Sequence, residues 1–382
     1  MRIEERGTIY DATAQPAQRR VAFFTSLCPL HDGTMLCGFQ VGRAKHAPDS
    51  TVCLYASADG GRIWEPRSTR FESNFADTPG SLATAELVEV APSRLLLFAT
   101  WFDRSDPERP LFDPATGGIL HSKLLVADST DAGRTFSTWR ELPTEELTGC
   151  SFTGPVLRFA DGMLALPFES YKEYDDPCPG HHAAWVMVSC DGGASFSRPL
   201  LVAQHPEHRI YYWDQRLCVG RWGNDVTALF WSHDLEAQRD LNVHLLHPTP
   251  GESEQGEAVL LRTPVQATPL RGQIAAPLWI DDDRLMAFVV DRQSEGTMML
   301  CVSRDGGKTW PAEGRLVVYS HKQAAAAQPT GGPIDYNEYW EQMGQWTFGH
   351  PAIRKLSDDR LLLAWYAGTP DCMSIHWARV AV

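Results

Sequence analysis

Titratable side chains of this 382-residue chain gather where apolar runs give way to polar loops. Arg43, His46 and Asp49 follow one run, Trp101 and Arg104 a second, and Glu169, Tyr171 and His182 a third. Tyr212, Asp214, Gln215 and Arg216 open a fourth, while Gln273, Arg292, His350 and Tyr366 flank the last two. Glycoside hydrolysis needs a carboxyl pair, one acid and one nucleophile or base, and Asp49 with Glu169 or Asp214 can supply it. Lyase chemistry on a uronic acid needs a base for the ring proton beside the carboxylate, and cationic groups that stabilise the developing charge. His350, Tyr212 or Tyr366, with Arg43, Arg216 or Arg292, suit that role. The residues alone leave both chemistries open. Trp101, Trp213, Trp231, Trp340 and Trp346 are candidates for stacking on sugar faces. His181, His182, His205 and His208 lack an identifiable third metal ligand, so no metal or other cofactor is expected.

The elements that must position these groups repeat. Ser-x-Asp-x-Gly-x-x-aromatic occurs four times, ending in Trp64, Phe136, Phe196 and Trp310. Such a segment predicts a turn: the aspartate accepts backbone N–H groups, glycine supplies a positive φ, and the aromatic packs beneath. Four copies argue for a structural role for these aspartates. A second pattern, apolar strand, polar turn, apolar strand, recurs six times, with turns near Asp32, Pro92, Asp161, Gly223, Asp282 and Asp358. The turns are spaced roughly 60 to 75 residues apart, which reads as one four-stranded unit per repeat. The whole is predicted to be all-β, a six-bladed β-propeller in one domain over residues 1–382, whose radial closure removes exposed sheet edges. Only one strand follows Tyr366, so the N-terminal RIEERGTIY is expected to pair with it and close the ring. The connection from Ser320 to Gln345 exceeds what closing a blade requires and is a candidate lid.

A formal charge of −14 repels nucleic acid and anionic membranes. The start MRIEERGTIYDATAQ carries no apolar signal core, and no run approaches a membrane span, which predicts a cytoplasmic location. Nine scattered cysteines without a C-x-x-C pair read as reduced thiols. A small carbohydrate is the expected partner.

The four turns on six such hairpins resemble the sialidase superfamily of BNR, or Asp-box, repeat proteins. The resemblance implies a sugar pocket on the side away from the Asp boxes, gripped by an arginine triad. It also implies an aspartate acid/base and a tyrosine nucleophile paired with glutamate. Arg43 and Asp49 match two of these positions. The tyrosine slot falls on His350 and the glutamate slot near Asp214 and Gln215, while the triad arginine expected near Phe23 is absent. An exo-acting glycoside hydrolase on a small acidic or modified sugar, other than a standard sialidase, is therefore expected. A uronate lyase and a non-catalytic sugar-binding propeller are the alternatives.

Overall fold

In the computed structural model, residues 1–67, 71–252, 258–261, 264–321 and 346–382 are described. The proposed lid and Trp340 thus lie almost wholly outside the described residues. Strand pairing follows the sequence repeat. After β1 (Arg2–Tyr10), the first group is β2 (Val21–Pro29), β3 (Met35–Gly42), β4 (Thr51–Ser57) and β5 (Glu65–Pro66). The second is β6 (Gly80–Ala91), β7 (Arg94–Asp103), β8 (Ser122–Ser129) and β9 (Arg140–Glu141). In the third, β10 (Ser151–Phe152) and β11 (Leu157–Arg158) share β12 (Leu164–Ser170), followed by β13 (Ala183–Ser189) and β14 (Leu200–Ala203). The fourth contains β15 (Ile210–Val219), β16 (Val226–Asp234), β17 (Arg239–Asp240) and β18 (His244–Leu246). A separate hairpin of β19 (Thr249–Glu252) and β20 (Ala258–Leu261) then precedes its outer strand β21 (Gln266–Ala267). The fifth is β22 (Ala275–Trp279), β23 (Leu285–Asp291), β24 (Thr297–Ser303) and β25 (Arg315–Ser320). The last is β26 (Phe348–Lys355), β27 (Leu361–Thr369) and β28 (Cys372–Ala381). Here β1 pairs antiparallel to β28, from Arg2 opposite Ala381 to Tyr10 opposite Ile375.

Burial explains the composition of the strands. Every residue of β3 and of β23 is buried, because both faces of these inner strands are covered. The outermost strands β5 and β9 are two residues long and exposed, which blunts the sheet edges. Apolar clusters fill the space between consecutive sheets: Leu36 and Leu54 meet Leu87 and Leu97, and Phe98 meets Phe152 and Leu166. Phe288 and Leu300 pack with Leu363 and Trp365. Between the last group and the first, Leu362 and Trp377 pack with Phe39 and Val41.

The four Ser-x-Asp-x-Gly segments join the third and fourth strands of their groups. Each serine hydroxyl donates to its aspartate, at 2.7 Å for Ser57–Asp59 and 2.8 Å for Ser189–Asp191. It also accepts the amide of the glycine four residues on, at 3.0 Å from Gly61 and 2.9 Å from Gly193. That glycine has φ +88° at Gly61 and +85° at Gly193. A Cβ on Gly61 would lie 2.8 Å from Leu362, one on Gly193 2.1 Å from Leu96, and one on Gly307 2.9 Å from Leu245. In each case the leucine belongs to the preceding sheet. The glycine is therefore required twice, by its backbone conformation and by sheet-to-sheet contact.

One irregularity recurs on the innermost strands. Positive φ occurs at Phe24 (+56°), Thr84 (+60°), Asp214 (+50°) and His350 (+51°), and glycines carry it at Gly154 and Gly272. Pairing slips at these bulges between Phe23 and Ser26, Ala83 and Glu86, Trp213 and Arg216, and Gly349 and Ala352. A bulge turns the following side chains to the other face, so each innermost strand re-aims residues at this level.

Candidate functional site

The bulges surround a cavity. Its wall combines Phe23, Phe24, Phe102, Leu111, Phe112, Ile119 and Phe152 with Trp213, Trp231 and Trp346. Its polar groups are Lys45, His46, Glu169, Tyr171, His182, Asp214, Arg292, His350 and Tyr366. Contributions come from every strand group, which is the position expected for a binding site between radial sheets.

Tyr366, near the end of β27, is held between two cations. Lys45 Nζ donates to the Tyr366 hydroxyl at 3.0 Å and to the Trp346 carbonyl at 2.6 Å, and lies 4.7 Å from the Tyr366 ring centroid. Arg292 donates to the same hydroxyl at 3.4 Å, to Gln273 Oε1 at 2.8 Å and to the Phe348 carbonyl at 3.1 Å. Its guanidinium sits 4.4 Å from the Trp346 ring centroid. Burial alone would raise the Tyr366 phenol; Lys45 and Arg292 outweigh it and hold the group below its ordinary value. Burial pushes Lys45 down, the phenol opposes that shift, and Arg292 adds to it.

The carboxylates occupy β12 and β15. Glu169 Oε2 is 3.1 Å from His182 Nε2, and its Oε1 accepts the Gln215 amide at 3.2 Å. Asp214 Oδ1 accepts from Arg216 Nη2 at 2.7 Å. His350 Nδ1 lies 3.0 Å from the Thr25 carbonyl, an acceptor that fixes the proton on Nδ1 and leaves Nε2 as a lone pair. Burial, then the Arg216 charge, hold His350 well below the ordinary imidazole value. His46, half-buried, has both ring nitrogens covered and hydrogen-bonded to no group among the described residues; it is pushed down to about 3 by burial, with Lys45 and Arg104 adding to it.

The remaining sequence-predicted residues lie outside this lining. Arg43 and Asp49 face each other at 3.7 Å with side chains 63% and 37% exposed. Trp101 is packed against Gly80 and donates to the Ser73 carbonyl. Arg104 ties Ser81 to the His46 carbonyl, so it supports the loop that carries His46. Tyr212 packs on Phe230 and His244. Gln215 bridges the Phe168 and Trp185 carbonyls, and Gln273 links Arg292 to Asp240. Arg216 reaches below the cavity.

No family model matches the chain, and no curated protein matches it. Solved structures do. A protein of unknown function from Dyadobacter fermentans DSM 18053 matches with TM-score 0.69 at 17% identity, over 99% of this chain and 98% of that one. The Hadza microbial sialidase Hz136 matches with TM-score 0.67 at 12% identity, over 99% and 68%. The alpha-L-arabinanase of Penicillium chrysogenum, solved with arabinobiose, matches with TM-score 0.60 at 12% identity, over 100% and 98%. The fold is the sialidase-like β-propeller. On this propeller, sequence reasoning missed Lys45, although it took the flanking Arg43 and His46.

Proposed function

We propose that the chain is a carbohydrate-active enzyme: an exo-acting glycoside hydrolase for a small acidic or modified sugar, and not a standard sialidase. The six strand groups, with β1 on β28 and apolar packing between the first and last groups, support a single six-bladed ring over residues 1–382. The observation that carries the functional reading is the Tyr366 hydroxyl clamped by Lys45 and Arg292 inside the cavity. A phenol so placed ionises more readily and becomes a nucleophile.

In the proposed reaction the Tyr366 phenolate oxygen attacks the anomeric carbon, and the bond from that carbon to the leaving-group oxygen breaks. Glu169 gives its proton to the leaving group. Water then attacks the same carbon, Glu169 takes a proton from it, and the phenolate departs. Glu169 receives the acid/base role because its ion-pair partner is an imidazole, His182, whereas Asp214 is paired with the guanidinium of Arg216, a permanent cation that keeps it ionised. Lys45 and Arg292 favour an anionic sugar, and Trp213 and Trp346 offer faces for its ring. The alternative, a uronate lyase, is favoured by the fixed Nε2 lone pair of His350 and is distinguished by an unsaturated product absorbing in the near ultraviolet. A pooled screen of acidic glycosides and oligouronides tests the reading. Turnover without ultraviolet gain, lost by about a thousandfold or more in Tyr366→Phe, is the expected result. Full activity in that variant overturns it, and bound sugar released unchanged after long incubation indicates a binding module.

A further inference from the structure

Beneath the reaction cavity the innermost strands enclose a second, smaller cavity lined by Thr25, Ser26, Glu86, Arg216 and Arg354 among apolar neighbours. Glu86 is 2% exposed on β6, immediately after the bulge that starts at Ala83. Without that bulge the alternation of β6 would aim it elsewhere. Arg216 enters the same cavity from β15, and its Nε and the Thr25 hydroxyl hydrogen-bond to no protein group among the described residues. Its Nη2, however, grips Asp214 of the upper cavity. Arg216 therefore spans the two chambers.

We propose that Glu86 is a positioning residue for the upper cavity: its carboxyl, facing the cavity that Arg216 also lines, acts on the Arg216 guanidinium across that space, and through the Arg216–Asp214 bond on the orientation of Asp214 and the field at His350. The inference rests on reading the upper cavity as the reaction chamber. The groups acting on Glu86 are Arg216 and Asp214 from β15 and Arg354 from β26, with the Cys28 and Cys37 thiols on β2 and β3. Burial raises both thiols, so they stay neutral. Burial also pushes Glu86 up to about 7, against the pull of Arg216 and Arg354. Its ionisation near neutrality would change the net charge beside Arg216 by one unit, at a depth where screening is weak. His350 itself stays neutral over that range.

Nitrogen NMR of the histidine rings, in protein labelled at those nitrogens and titrated across neutral pH, tests this without any substrate. The His350 signals are expected to move with an inflection near 7 in the wild type. They should lose it in Glu86→Gln and regain it, displaced, in Glu86→Asp. An absent wild-type inflection, or one that persists in Glu86→Gln, overturns the proposal; the wild-type titration can overturn it even if a variant does not fold, and Glu86→Asp gives a second attribution. The hydrolase reading fails separately, if no glycoside is turned over while the inflection is present.

Discussion

Lys45 has two effects on Tyr366 that can be separated by substitution. Its charge favours the phenolate, and its hydrogen bond orients the oxygen. Tyr366 is lowered in the folded protein, so the rising limb of activity, as the phenolate forms, lies below the ordinary phenol value near 10. Lys45→Met removes the cation, and the limb is expected to move to higher pH. Each unit of movement corresponds to about 1.4 kcal/mol, or roughly a tenfold loss at a pH below the limb. A pH–rate profile measures it, and an unmoved limb would detach Lys45 from the nucleophile. A fluorogenic sialoside provides a second check. Under the proposed reading, which is not that of a standard sialidase, kcat/KM should stay below about 10⁴ M⁻¹s⁻¹, and a higher value contradicts the substrate assignment.

At the scale of the element, the four turns act as locks between sheets. Asp191 accepts the Ser195 amide at 2.9 Å and the Ser189 hydroxyl at 2.8 Å, and Gly193 beside it seats on Leu96. Asp191→Ala should lower stability by about 1 to 3 kcal/mol in denaturant unfolding while leaving turnover intact. Loss of turnover in a folded variant would assign the turn a chemical role. The repeat was legible because its residues act locally: serine, aspartate and glycine bond within one turn. The innermost strands were less legible. Glu86 sits in ATAELVEV, where simple alternation hides its direction; the slip between Ala83 and Glu86 decides it. Lys45 was missed for a similar reason, since the chain beyond β3 turns at His46 through φ +55°, which no local pattern announces. Trp101 and Arg104 were read as rim groups, but Gly80 and Ser81 leave room for them to pack inward.

For the whole molecule, the pairing of β1 with β28 joins the two ends of the chain across one sheet. Arg379 reinforces it, buried at 2% exposure and bonded to the Gly60 carbonyl and Asp358, with Glu5 of β1 at 3.4 Å. Deleting Arg2–Tyr10 should expose the edge of β28 and promote aggregation, read by light scattering and a lowered Tm. A soluble deletion with unchanged Tm would contradict the role given to β1. The central claim concerns the chamber that these sheets surround. The measurement that tests it most directly is covalent trapping: the wild type is incubated with activated 2-deoxy-2-fluoro derivatives of acidic sugars, digested, and mapped by mass spectrometry. Tyr366 is predicted to carry the glycosyl label, and Tyr366→Phe to carry none; a label on Glu169 or Asp214, or steady turnover with no label, would contradict the account.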